Sequence, residues 1–167
     1  MTPRDGECAL SASGVGNLGS VPRQPFPLMG EVPPVLRDVI LDFVWDRERL
    51  WGLQLPEQEV PVSKLRWHLT LPLWSFEGLP FSVSPEQVLT DPARYWAQYE
   101  RTMAADLSLP LHVVARPRRR LTILDGTHRL LKAQSLGLGK VVVRKATMAN
   151  LDDIVWQTST GTTVVGR

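Results

Sequence analysis

Apolar positions in this chain come in short bursts separated by proline, glycine or acids, and the spacing within each burst predicts an element. "VILDFVW" (Val39 to Trp45) alternates and is rich in β-branched residues, which predicts a strand, although Leu36, Val39, Ile40, Phe43 and Val44 also satisfy helical spacing. Asp46 is then placed to cap a short helix through "RERLWGL". Val60 to Val62 predicts a brief strand, with Ser63 as the N-cap of a helical turn. "TLPLWSFEGLPF" sets Pro72 and Pro80 among Trp74, Phe76 and Phe81, which predicts an irregular, partly buried loop. Ser84 before "PEQVL" joins an N-cap to a proline at the first helical position. Asp91 and Pro92 repeat that signal for a longer helix through "ARYWAQYERTMAAD".

Farther on, "LPLHVVA" and "RLTIL" predict two strands joined by the link "RPRRR". A helix from about Thr127 to Leu136, a stop at Gly137 and the strand "KVVVRKA" follow. Short strands mixed with helices predict one α+β domain with a small mixed sheet, spanning residues 34–150. Residues 1–33 are rich in Gly, Ser and Pro without an apolar period, so they are expected to form a disordered leader. Residues 151–167 form a tail with no assignable period.

Bulk properties narrow the function only a little. A chain of 167 residues supports one domain with a real core. The formal net charge of +2 is too small to argue for nucleic-acid binding, which only a local cluster of cations would support. One cysteine, Cys8, allows neither an internal disulfide nor a thiolate metal cluster. No apolar run reaches the roughly 20 residues of a membrane span. The N-terminus lacks the apolar core of a secretory signal. The expectation is a soluble cytoplasmic protein with no membrane partner.

The segment richest in chemistry is "LTILDGTHRLLKAQSL". A strand runs into Asp125, Gly126, Thr127, His128 and Arg129, and a helix begins there. The first N–H groups of a helix are unpaired and carry partial positive charge, which makes them an anion site. Gly126 lets the backbone approach a ligand without a Cβ in the way. Thr127 offers a hydroxyl to phosphate or metal, Arg129 a planar fork for phosphate oxygens, and His128 a donor or a proton shuttle. Asp125 is the odd member, because an acid beside a phosphate is repulsive unless a cation such as Mg²⁺ bridges them or the acid orients a nucleophile. The plainer alternative is a capped strand-to-helix turn, since Asp-Gly is common turn chemistry and Thr127 an acceptable N-cap.

"LPLHVVARPRRRLTILDGTHRLLKAQSLGLGKVVVRK" resembles the core of the ParB/sulfiredoxin superfamily. Pro110 matches its strand entry, Asp125 to Arg129 its phosphate loop, Ala133 and Gly137 its helix, and "KVVVRK" its closing strand. The resemblance covers residues 59–146. It implies nucleoside di- or triphosphate binding on Gly126, Thr127, His128 and Arg129, with Mg²⁺ at Asp125. The superfamily includes partition-type CTPases, sulfinic acid reductases and free-serine kinases, and some members carry a nuclease-like label. Thr127 stands where sulfiredoxins have their reactive cysteine, which argues against sulfinic acid reduction. Partition proteins continue into a DNA-binding region and a dimerisation tail for which about twenty further residues leave no room. The Asp-Gly-x-His-Arg form looks most like the free-serine kinases, which need a carboxylate from an earlier loop. Glu77 and Glu59 are the nearest candidates, with Asp125, His128 and Glu77 then forming the catalytic set.

Other features have plainer meanings. Arg116, Arg118, Arg119 and Arg120 crowd into the link and are candidate nucleic-acid contacts, or else a solvated hairpin tip. Trp96, Tyr99 and Met103 share a helical stripe that reads as a core face rather than a base-stacking platform. His68 and His112 lack ligand spacing, and no structural zinc is expected. Trp67, His68 and Trp74 flank the irregular loop, where one of them is placed to line a pocket. The function expected from all this is Mg²⁺-assisted phosphoryl transfer from a nucleotide to a small-molecule acceptor, or nucleotide hydrolysis. Its rivals are a non-catalytic ParB-like module that binds nucleotide, nucleic acid or a protein partner, and a nuclease.

Overall fold

The computed structural model describes residues 21–117 and 120–157. The fold is α+β with a small mixed sheet. Helix α1 (Arg47–Gly52) leads to β1 (Glu57–Pro61), then to a hairpin of β2 (Trp74–Phe76) and β3 (Leu79–Val83). Helices α2 (Pro85–Thr90) and α3 (Trp96–Ala104) follow, then β4 (Leu111–Ala115), β5 (Leu121–Asp125), α4 (Thr127–Ser135) and β6 (Lys140–Ala146). The main sheet has the order β1-β6-β4-β5, in which β4 and β6 run parallel and the outer pairs antiparallel.

The central strand β4 is buried on both faces, and this organises the core. Val113 belongs to a cluster with Leu65, Leu69, Val88, Leu130 and Leu131. Its neighbour Val114 points the other way, into a cluster with Leu41, Phe43, Leu50, Ile154 and Val155. Adjacent strand residues face opposite sides, so consecutive valines join two cores. Burying each such side chain stabilises by roughly 1.5–3 kcal/mol.

Local signals locate several ends. The Asp46 carboxylate accepts from the N–H groups of Glu48 and Arg49. Ser84 and Gln87 form a reciprocal capping box on α2. Gly137, at φ +70°, ends α4, and the Leu138 N–H returns to the Ala133 carbonyl at 2.9 Å.

Other expectations need correction. "VILDFVW" makes only isolated bridges, Pro25 with Phe43 and Trp45 with Val155, because no neighbour runs alongside it long enough for a ladder. "TLPLWSFEGLPF" is a hairpin rather than an irregular loop: Glu77 (φ 49°) and Gly78 (φ 79°) supply the two left-handed residues of a tight turn. Ser63 lies inside a 3-10 turn, Val62–Lys64, instead of capping it. Asp91 accepts from the Arg94 N–H, but α3 starts only at Trp96. Trp96 is 59% exposed and so is not core, whereas Tyr99 packs against the main cluster.

The folded part extends past both expected boundaries. Val32 is buried and Phe26 and Met29 pack beside it against Leu36, Val39 and Leu71. At the other end Leu151, Ile154 and Val155 are buried, and the Trp156 backbone N–H donates to the Val44 carbonyl. Residues 1–20, with Cys8, and 158–167 lie outside the described residues, as do Arg118 and Arg119.

Candidate functional site

The segment Asp125 to Arg129 joins β5 to α4. Gly126 stands at the N-cap of α4 with φ 112° and ψ 18°, a conformation that L side chains rarely adopt. A Cβ there would lie 2.8 Å from Leu111 Cγ and 2.9 Å from Arg129 Nη2, so the glycine is required by crowding as well as by its backbone. No side chain caps α4, and its first backbone bond runs from the Leu130 N–H to the Gly126 carbonyl. The helix therefore presents its opening N–H groups past a residue with no side chain.

Asp125 is surrounded by donors. Its Oδ2 accepts from Arg129 Nη2 at 2.8 Å and from the Trp51 indole N–H at 3.1 Å. Its Oδ1 faces Arg47 Nη2 at 3.4 Å. Arg129 is 7% exposed, its Nε is buried with no protein partner, and its guanidinium lies 5.3 Å from the Trp51 ring. The same indole sits 4.6 Å from His112, whose ring is buried with neither nitrogen bonded to protein. Burial pushes the His112 pKa down to about 4, against the opposing pull of Asp125. The acid is thus neutralised by two arginines and an indole N–H.

His128 faces a different neighbourhood. Its Nε2 lies 2.9 Å from Gln98 Oε1, so the ring is an N–H donor there, and it stacks on Trp74 at 4.3 Å and 12°. Burial first, then the charge of Arg101, lowers its pKa to about 4, which leaves the imidazole neutral at physiological pH. Gln98 is positioned by α3, whose end is tied to α4: the Met103 carbonyl and that of Ala105, just past the helix, accept from Lys132 Nζ at 2.7 Å each.

Beside the loop is a cavity of about 240 Å³. Thr127 and Trp74 form part of its wall, and Phe26, Ile40, Trp45 and Leu73 give it an apolar, aromatic character. No Asp, Glu, Lys or Arg lines it. His68 also borders it, but both ring nitrogens are engaged: one with the Leu65 carbonyl at 2.7 Å, the other accepting from the Ile123 N–H at 3.0 Å. His68 is a structural histidine that ties the segment before β2 to the site strand β5.

The structure therefore gathers Asp125, Gly126, Thr127, His128 and Arg129 at one strand-to-helix junction. Glu77 lies exposed in the β2–β3 turn, and the contact this hairpin makes with the loop is Trp74 on His128. Glu59 pairs on the surface with Lys140 at 3.2 Å. Arg116 donates to the Val39 carbonyl at 3.3 Å, and Arg120 lies over Trp67 at 5.7 Å. Among the described residues no group of three or more His, Cys, Asp or Glu side chains comes together to hold a metal. Trp51, Arg47 and Gln98 are site residues that the sequence reading did not identify. One signal was available for the central ion pair: Asp125 and Arg129 stand at i, i+4. No helix is long and apolar enough to cross a membrane among the described residues. Searches with protein-family models, curated proteins and solved structures match nothing to this chain.

Proposed function

We propose that the chain binds the phosphates of a nucleotide at the N-terminus of α4 and promotes phosphoryl transfer to a small acceptor, or hydrolysis. The observation that carries this reading is the uncapped start of α4 behind a left-handed glycine, with a buried arginine whose Nε lacks a partner directly beneath. Such a start offers donors and positive potential where a phosphate would sit. The resemblance of "DGTHR" to the ParB/sulfiredoxin phosphate loop points the same way. Thr127 adds a hydroxyl, and the adjoining apolar cavity is of a size and character to take the base.

In this reading Arg129 and Arg47 compensate Asp125 and leave net positive charge for the incoming phosphates. Asp125 is a lone carboxylate with Oδ2 already committed, so it suits a Mg²⁺ that arrives shared with phosphate oxygens rather than one held by protein alone. Bound there, the ion would supply charge neutralisation of the phosphates. His128, neutral and with its one N–H given to Gln98, braces the loop against Trp74 rather than donating to phosphate.

A second reading, a non-catalytic nucleotide-binding module, is favoured by the same His128. An imidazole with a pKa near 4, tied to Gln98, is poorly matched to acid–base work at neutral pH. Isothermal titration calorimetry with nucleoside di- and triphosphates, with and without Mg²⁺, tests binding. Release of phosphate or its transfer to hydroxyl-bearing acceptors tests chemistry. Binding with turnover supports the first reading and binding without turnover the second. Absence of binding by any nucleotide removes both.

A further inference from the structure

Arg120 and the segment after β1 meet at a surface that the phosphate loop does not use. A groove of about 520 Å³ runs between them, with Lys64, Arg66 and Arg120 on its walls and Glu86 as its one acid. A second hollow of about 570 Å³ lies across the ridge formed by Trp67 and Arg120, which line both. Its far side carries one further acid, Asp38.

Two properties make this more than a solvated basic face. Lys64, Arg66 and Arg120 are exposed, and among the described residues none of the three is in an ion pair with an acid. The ridge between the hollows is aromatic. Arg120 lies over the half-buried Trp67 ring at 5.7 Å, and the same ring lies 3.7 Å from that of the buried His68.

We propose that this groove binds single-stranded nucleic acid. Its cations would follow the phosphate backbone, and the Trp67–Arg120 ridge would supply the flat surface on which a base stacks. Charge complementarity selects a polyanion. The aromatic ridge selects one with planar groups, because cations with an aromatic platform are how single strands are held without reading sequence. An acidic peptide would satisfy the cations and leave the ridge unused. The proposal is independent of nucleotide binding at α4.

Fluorescence anisotropy of a labelled oligothymidylate with the full chain tests it, over a salt series. Binding at low salt that weakens steeply as salt rises is expected. Reversing two groove charges, Lys64→Glu with Arg66→Glu, should weaken it by roughly tenfold or more and flatten the salt slope. Both residues are exposed, so the thermal midpoint should stay unchanged. An abasic oligomer of equal length should bind more weakly than oligothymidylate, and polyglutamate should compete poorly. No binding at low salt, a reversal variant that binds as tightly as the parent, or equal affinity for the abasic oligomer would each overturn the proposal. Polyglutamate competing as well as the oligonucleotide would overturn it in favour of an acidic protein partner.

Discussion

Asp125 shows how one side chain can be prepared for an anionic ligand without being repelled by it. Its charge is met by Arg129, Arg47 and the Trp51 indole, so the site needs no cation to tolerate the acid. Asp125→Asn would strand the buried Arg129 charge, and urea titration should show a loss of about 1–3 kcal/mol. The same change frees Arg129, so phosphate affinity without Mg²⁺ should hold or rise, while any Mg²⁺-dependent turnover should collapse. Arg129→Ala should instead weaken phosphate binding roughly ten- to a hundred-fold, as the loss of a charge-assisted contact predicts. Gly126→Ala meets both a positive φ and the Leu111 and Arg129 side chains, and should cost on the order of 1–3 kcal/mol by the same titration. His68, His112 and His128 all have pKa values lowered to about 4, chiefly by burial, from an ordinary value near 6.5. The unfolded chain therefore takes up protons that the fold refuses. Stability should be full above pH 6.5 and fall as pH drops through the window from 6.5 to about 4. A urea midpoint unchanged between pH 7.5 and pH 5 would contradict that burial.

Elements whose ends are set by local chemistry were legible in the sequence. Asp46 before α1, Ser84 before α2, and the β5–Gly126–α4 junction each follow from neighbouring residues. Elements that depend on a distant partner were not. "VILDFVW" has strand composition, but only its surroundings decide that it makes single bridges. In "TLPLWSFEGLPF" the prolines outweighed Glu77-Gly78, a turn pair that marks the hairpin carrying Trp74 to the site. The site partners were hidden for the same reason: Trp51 stands 74 positions from Asp125, and Gln98 stands 30 from His128. The N-terminal segment is the clearest case, because its composition suggests a loose leader while Phe26, Met29 and Val32 cover a core of their own. A chain beginning at Pro34 should lose that cover and melt roughly 5 °C or more below the full chain in a thermal scan. An unchanged midpoint would mean that these contacts contribute nothing.

At the scale of the whole molecule, one short 3-10 helix, Arg66–Thr70, adjoins both surfaces of interest. Trp67 forms the ridge of the basic groove, and the next residue, His68, borders the cavity beside Thr127 and bonds to β5. At the other end of that connection a phosphate is to sit on the first N–H groups of α4. Backbone amide chemical shifts in nuclear magnetic resonance, followed while inorganic tripolyphosphate is added, report this contact directly. Saturable shifts are expected, largest at Gly126, Thr127, His128 and Arg129, and reduced by Arg129→Ala. Shifts absent from those four amides, or concentrated instead around Lys64, Arg66 and Arg120, would contradict it.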